Sequence, residues 1–253
     1  MKRLLTAAIG VPATILLTLY TPDLLFAILI ALVGVRCLWE LIDLGSSRLG
    51  APPGKWLFLL AAFVTLSFAA GVPSALTGLA LAILIGTTVI TFTVPFSEAF
   101  GKVAFALLGL VYCAFLPGFL LLMRREMILV LLGVLWIGDA AAYYGGSTLG
   151  RHLLAPHLSP KKTVEGAFAG LIGSIIAGVA LGVWVANERS GVLLIASIAA
   201  ACAGQVGDLV ESALKRSAGV KDSSDLLPGH GGLLDRLDGL LFAAPVFYWF
   251  FSR

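Results

Sequence analysis

Charge is scarce in this sequence. Only 12% of its 253 residues are Asp, Glu, Lys or Arg, about half the share of an ordinary soluble domain. With a formal net charge of +3 there is no basic surface broad enough for a polynucleotide, so nucleic-acid binding is excluded and any nucleotide is a small ligand. Cysteine is rarer still. Cys37, Cys113 and Cys202 each stand in or beside an apolar stretch, show neither metal-ligand spacing nor a disulfide framework, and read as packing residues. The histidines His152, His157 and His230 lack zinc spacing as well. Neither a Walker A loop nor a dinucleotide-binding glycine fingerprint occurs, so a phosphate site, if present, does not use those folds.

What is abundant is apolar. Hydrophobic residues make up 59% of the chain and the mean hydropathy is +1.02. They come in runs of roughly 17 to 25 residues, the length of a helix that crosses a bilayer. Long Leu, Ala, Ile and Val runs with glycine inside them speak against the short alternating segments of a membrane barrel. Windows near residues 4–20, 24–42, 56–71, 74–94, 99–122, 127–145, 167–186, 192–210 and 234–251 predict an all-α, polytopic helical integral membrane protein with eight or nine transmembrane helices. The pair on either side of Gly71, Val72 and Pro73 also reads as one broken helix and its neighbour. The first twenty residues have the basic start and apolar middle of a signal peptide but no convincing cleavage site, so a retained first helix is expected. Lys2 and Arg3 then put the N-terminus on the cytoplasmic side.

The two halves differ. Residues 1–125 read as a transmembrane scaffold, in which Arg36, Glu40, Asp43, Arg48, Lys55, Glu98 and Lys102 lie mostly near segment ends as interfacial anchors. Arg36 and Glu40 are four residues apart and would pair on one helical face. Residues 126–253 read as the catalytic region, because there polar residues become dense and patterned. Asp139 ends an apolar run, with Tyr143 one turn on and Gly146 and Gly150 beyond; an ionisable group in that position needs water, a partner or a ligand. In HLSPKKTVEG, Pro160 favours a loop or a first helical turn, while Ser159, Lys161, Lys162, Thr163 and Glu165 supply polar groups before the next span. Adjacent lysines there serve topology or phosphate equally well.

The stretch from Gly204 to Gly239 is the most informative. On a helix starting near Val206, Asp208, Glu211, Ser212 and Lys215 follow i, i+3, i+4 and i+7 and share one face. Arg216, Lys221 and Asp222 extend the polar cluster. Pro228, Gly229, Gly231 and Gly232 break the chain around His230. A new helix from about Leu233 carries Asp235 and Asp238 one turn apart with Arg236 between them. Carboxylates, Lys and Arg side chains and a glycine-rich turn are the parts of phosphoryl or nucleotidyl transfer. The carboxylates offer hard oxygen ligands to Mg²⁺, and the cations neutralise phosphates. His230 suits substrate positioning or turn stabilisation better than general-base duty, since a phosphate monoester is already largely ionised near neutral pH.

These motifs resemble those of the bacterial phosphatidate cytidylyltransferases, also called CDP-diglyceride synthases. The resemblance rests on S-x-x-K-R from Ser212, K-D at Lys221 and Asp222, H-G-G from His230 to Gly232, and D-R-x-D from Asp235 to Asp238. SPKKTVEG from Ser159 to Gly166 and D-x-x-A-Y-x-x-G from Asp139 to Gly146 also match. The similarity therefore covers at least residues 139–239, the N-terminal half matching mainly in hydrophobic layout.

The resemblance implies condensation of phosphatidic acid with CTP to CDP-diacylglycerol and pyrophosphate. It further implies Mg²⁺, a contribution from a monovalent cation such as K⁺, a homodimer in the lipid bilayer of the bacterial inner membrane, and a site open to the cytoplasm. The metal carboxylates carry over to Asp208 and Asp235. Lys215, Arg216, Lys221, Asp222 and Asp238 are the remaining candidates for chemistry. Asp139, Tyr143, Ser159, Lys161, Lys162, Thr163, Glu165, Ser212, His230, Gly231, Gly232 and Arg236 are the candidates for substrate binding. One alternative is a CTP-dependent lipid-alcohol kinase, which would release CDP rather than pyrophosphate. A non-enzymatic ion or lipid transporter would line a pathway with the same Asp and Lys residues, but it leaves the spaced C-terminal signature unexplained.

Overall fold

The structure is a computed structural model. It describes residues 2–49, 54–226 and 231–252, with side chains for all of these except 2–7 and 46–49. Among them are nine helical rods: α1 Lys2–Tyr20, α2 Asp23–Leu49, α3 Trp56–Ser67, α4 Val72–Thr93, α5 Phe96–Leu122, α6 Arg125–Leu149, α7 Val164–Trp184, α8 Ser190–Ala218 and α9 Leu234–Phe251. Six of them, α2 and α4 to α8, are long and apolar enough to cross a membrane; α1 and α3 give shorter apolar helices. The protein is thus a multi-pass membrane protein of the all-α class, its membrane segments all helical. Large apolar side chains such as Phe92, Phe96, Phe100 and Trp184 are almost fully exposed, which water would penalise and lipid would not.

The windows read from the sequence correspond to these rods, with informative differences at their edges. α3 and α4 are separate helices, joined through a short 3₁₀ turn and Gly71 at φ +92°. α8 is one uninterrupted rod of 29 residues rather than a span followed by a second helix near Val206. At 1.5 Å per residue it is about 44 Å long, more than a bilayer's roughly 30 Å of hydrocarbon. Its polar C-terminal turns therefore extend an apolar crossing beyond the hydrocarbon.

By internal packing the chain divides into two compact units, Met1–Leu122 with Ser217–Arg236, and Met123–Arg216 with Leu237–Arg253. In the first, α2 packs on α3 and on the middle of α5 around Leu38, Leu41, Leu57 and Phe68, each almost fully buried. Phe68 meets Phe115 and Phe119 with ring centroids 5.1 Å away in each case. Within α5, residues Leu110–Phe115 form a π turn. Pro117 follows it and cannot donate to the carbonyl four residues back, so the ladder loosens there. The Thr65 hydroxyl meets this irregularity by donating to the Ala114 carbonyl at 3.0 Å.

In the second unit α6 and α7 pack against each other along most of their length. Small residues permit it: a Cβ on Gly170 would lie 2.9 Å from the Ala142 Cβ and 3.1 Å from the Gly138 carbonyl. The buried Ser174 hydroxyl donates to the Val134 carbonyl at 2.7 Å, the kind of interhelical hydrogen bond that joins membrane helices.

Between these helices lies a two-stranded antiparallel hairpin, β1 Leu153–Ala155 and β2 Ser159–Thr163. Pro160 is accordingly in a strand, not in a loop or a first helical turn. Leu153 pairs with Thr163 and Ala155 with Ser159, with an irregularity between. Lacking an N–H, a proline is tolerated in a strand at such an irregular edge.

Candidate active site

The polar face expected on α8 is present, and three elements of the second unit converge on it. Asp208 and Glu211 come from α8 and Asp238 from α9; ligand oxygens of the three carboxylates all lie within 4.8 Å of one another. The close approach of α9 depends on Gly207. A Cβ there would lie 2.5 Å from the Asp238 carbonyl oxygen, so no larger residue fits without displacing the helix. Three carboxylates so near one another repel, and two ammonium groups answer them. Lys162 from β2 pairs with Asp208, and Lys215 pairs with Glu211 one turn along α8. The Ser212 hydroxyl reaches Asp208 at 3.5 Å. The charges of Asp208, Asp139 and Lys215 all act on Asp238, which brings Asp139 of α6 into the same electrostatic neighbourhood.

The hairpin delivers Lys162, and its fastening is local. Thr163 caps α7 by accepting from the Gly166 N–H at 3.1 Å. Glu165 accepts from the backbone N–H groups of Arg151 and His152 at 3.0 and 3.2 Å and meets the His152 ring at 2.6 Å. The Arg216 side chain, at the end of α8, donates to the Leu158 carbonyl in the hairpin turn at 3.4 Å. Thr163, Glu165 and Arg216 therefore shape the segment that presents Lys161 and Lys162. Lys161 is exposed and Ser159 half-buried. Tyr143 is exposed and lies edge-on to Tyr144, with centroids 5.4 Å apart.

The rest of the C-terminal signature belongs to the first unit. Lys221 and Asp222 are exposed before a turn. Asp235 folds back over that turn: its Oδ2 accepts from the Ser223 N–H at 2.8 Å and the Gly232 N–H at 2.7 Å, and lies 2.9 Å from the Ser223 hydroxyl, whose one proton it shares with Glu40. Gly231 has φ +75°, and Gly232 is so closely covered that a Cβ would fall 2.0 Å from the Ser223 hydroxyl. Both glycines are thus demanded by the turn. Arg236 is exposed. His230 lies outside the described residues. Of the metal pair implied by resemblance, Asp208 stands in the carboxylate group of the second unit and Asp235 in the turn of the first.

Glu40 is the functional candidate that the sequence left among interfacial anchors. It is 1% exposed and pairs with Arg36 at 3.1 Å, as the four-residue spacing suggested. It also receives hydrogen bonds from Ser223, Ser224 and the backbone of Leu233 and Leu234. The available signal was an acidic residue inside the apolar window 24–42. Its partners, more than 180 residues away, have no such mark.

The profile of the Cytidylyltransferase family matches residues 1–253. A phosphatidate cytidylyltransferase of Staphylococcus haemolyticus is 35% identical over 96% of this chain and 96% of its own length. One from Bacillus subtilis is 34% identical over 98% of this chain and 96% of its own. An uncharacterised Escherichia coli protein, YnbB, is 44% identical over 49% of this chain and 42% of its own length.

Proposed function

The chain belongs to the cytidylyltransferase family, and from that premise we propose that it condenses phosphatidate with CTP to give CDP-diacylglycerol and pyrophosphate. The observation that carries this reading to particular residues is the meeting of Asp208, Glu211 and Asp238 with Lys162 and Lys215. In the reaction a phosphate oxygen of phosphatidate attacks the α-phosphorus of CTP. The bond from that phosphorus to the oxygen bridging to the β-phosphate breaks, and pyrophosphate leaves.

The residues fit Mg²⁺. All the donors are carboxylate oxygens, and octahedral ligands about 2.1 Å from the ion stand about 3 to 4 Å apart, a small contraction from the observed grouping within 4.8 Å. Asp208, Glu211 and Asp238 would hold the ion, and Asp235 stays in the proposal as the other carboxylate implied by the resemblance. When bound, Mg²⁺ would offset charge on the phosphates and on the departing pyrophosphate. Lys162 and Lys215, now balancing Asp208 and Glu211, would turn toward phosphate oxygens, with Lys161 and Arg216 adding charge from the hairpin and the end of α8, and Lys221 stays in the proposal as a further phosphate-neutralising cation of the signature. Asp222 would orient a basic partner, and Arg236 stays in the proposal as a substrate-binding cation. Tyr143, Asp139, Ser159 and Ser212 would line the substrate side.

A contribution from K⁺, a homodimer in the bilayer, and a site facing the cytoplasm at the bacterial inner membrane complete the proposal. The basic residues Lys161, Lys162, Lys215, Arg216 and Lys221 favour that orientation. The decisive experiment gives purified, detergent-solubilised protein phosphatidic acid, CTP and Mg²⁺ and quantifies both products. Equal CDP-diacylglycerol and pyrophosphate, dependent on Mg²⁺, are expected. CDP with a newly phosphorylated lipid would replace this reading with the kinase, and no turnover by folded protein would overturn both.

A further inference from the structure

We propose that Glu40, in α2, is a positioning residue for the reaction, setting the C-terminal turn that orients Asp235. The proposal rests on the reading that Asp235 belongs to the reaction site. A buried carboxylate in an apolar helix is costly unless fully paired, and Glu40 uses both of its oxygens. Oε1 takes the Ser224 hydroxyl at 2.8 Å, the Leu233 N–H at 3.0 Å and Arg36 at 3.1 Å. Oε2 takes the Leu234 N–H at 2.7 Å and the Ser223 hydroxyl at 2.8 Å.

These partners stand at the two ends of one segment. Leu233 and Leu234 carry the N–H groups that open α9, where helical partners are missing and a negative charge is favoured. Ser223 and Ser224 follow the Lys221–Asp222 pair. A single carboxylate therefore ties Ser223 and Ser224 to Leu233 and Leu234. Ser223 passes the constraint on, because its single hydroxyl proton is shared between Glu40 Oε2 at 2.8 Å and Asp235 Oδ2 at 2.9 Å, and its own N–H donates to Asp235. Gly232, whose N–H also meets Asp235, sits where a Cβ would be 2.3 Å from Glu40 Oε2. Stability alone does not call for this arrangement, since a well-packed apolar side chain in place of a buried ion pair often serves a fold equally well. What only a carboxylate provides here is a fixed direction for four N–H and O–H donors.

Glu40→Gln keeps the volume but turns one acceptor into an NH₂ group facing donors. Turnover should fall about 10- to 100-fold, and the Mg²⁺ concentration for half-maximal rate should rise at least about threefold, as for residues that orient a metal ligand. Amide exchange across residues 231–234 should quicken by at least about tenfold, since released helix-end N–H groups open locally. Ser223→Ala, which removes only the shared hydroxyl, should move the same three readouts in the same direction. Glu98→Gln, which breaks another i,i+4 pair of this unit, that with Lys102, should leave turnover within about twofold. If Asp235→Asn is inactive while Glu40→Gln and Ser223→Ala keep wild-type turnover, Mg²⁺ dependence and exchange, the positioning role is wrong and the reading of Asp235 stands. If folded Asp235→Asn is fully active, that reading fails first. Should Glu40→Gln not fold, Ser223→Ala decides alone by the same readouts.

Discussion

The carboxylates of the two units are chemically alike and surrounded quite differently. In the first unit Glu40 and Asp235 face a ring of N–H and O–H donors from Ser223, Ser224 and the residues opening α9. In the second, Asp208, Glu211 and Asp238 face one another and two lysines. A carboxylate that takes most of its hydrogen bonds from neutral donors, as Glu40 does beside its Arg36 pair, fixes backbone, because moving it strands several polar groups at once. Carboxylates crowded together and balanced chiefly by ammonium groups are held mainly by charge, and a cation serves them well. Asp235 and Asp238 lie three residues apart in one motif and fall on opposite sides of this divide.

Substitutions that exchange the two behaviours test the contrast. The largest effect is expected from Asp208→Asn, which should cut CDP-diacylglycerol formation by at least about 100-fold, the scale of losing a principal electrostatic group. Amide exchange along residues 204–216 should stay as in the wild type, and faster exchange there would make Asp208 a structural residue like Glu40. Gly232→Ala should give the converse pattern. Its Cβ would meet the Ser223 hydroxyl at 2.0 Å and Glu40 at 2.3 Å, so their packing must open, exposing residues 223–226 and 231–234 to exchange and limited proteolysis with turnover falling as a result. Gly207→Ala comes next: wedged 2.5 Å from the Asp238 carbonyl, it should destabilise the packed helices by about 1 to 3 kcal/mol, read as earlier thermal unfolding in detergent. The smallest effect belongs to Glu165→Gln, which loosens the exposed hairpin and should raise exchange at Arg151 and His152 with little change in maximal rate.

Much of this was legible in the sequence because membranes simplify folding. Apolar runs of crossing length must be helices, since no other open structure satisfies backbone groups in lipid. The shared face of Asp208, Glu211, Ser212 and Lys215 follows from helical periodicity alone. The hairpin was not legible, because three- and five-residue strands, one containing Pro160, carry no periodic signal and are defined by pairing across a turn. Nor was the length of α8, where an apolar crossing passes into a polar end without a breaker to mark the change. The grouping of Asp238 with Glu211 depends on how near α9 comes to Gly207, a distance that no local pattern encodes. Glu40 illustrates the same limit: its spacing from Arg36 revealed one partner, while four others come from the far end of the chain.

The seam between α6 and α7 bears on how the protein is made. Residues such as Gly138, Ala142, Gly166 and Gly170 have no rotamers to freeze, so bringing these helices together costs essentially no side-chain entropy. Only the short hairpin separates them, so their contacts are close in sequence, and contacts of that kind form early. The pair is therefore expected to zip together as the nascent chain enters the membrane, giving later segments a finished wall against which to assemble.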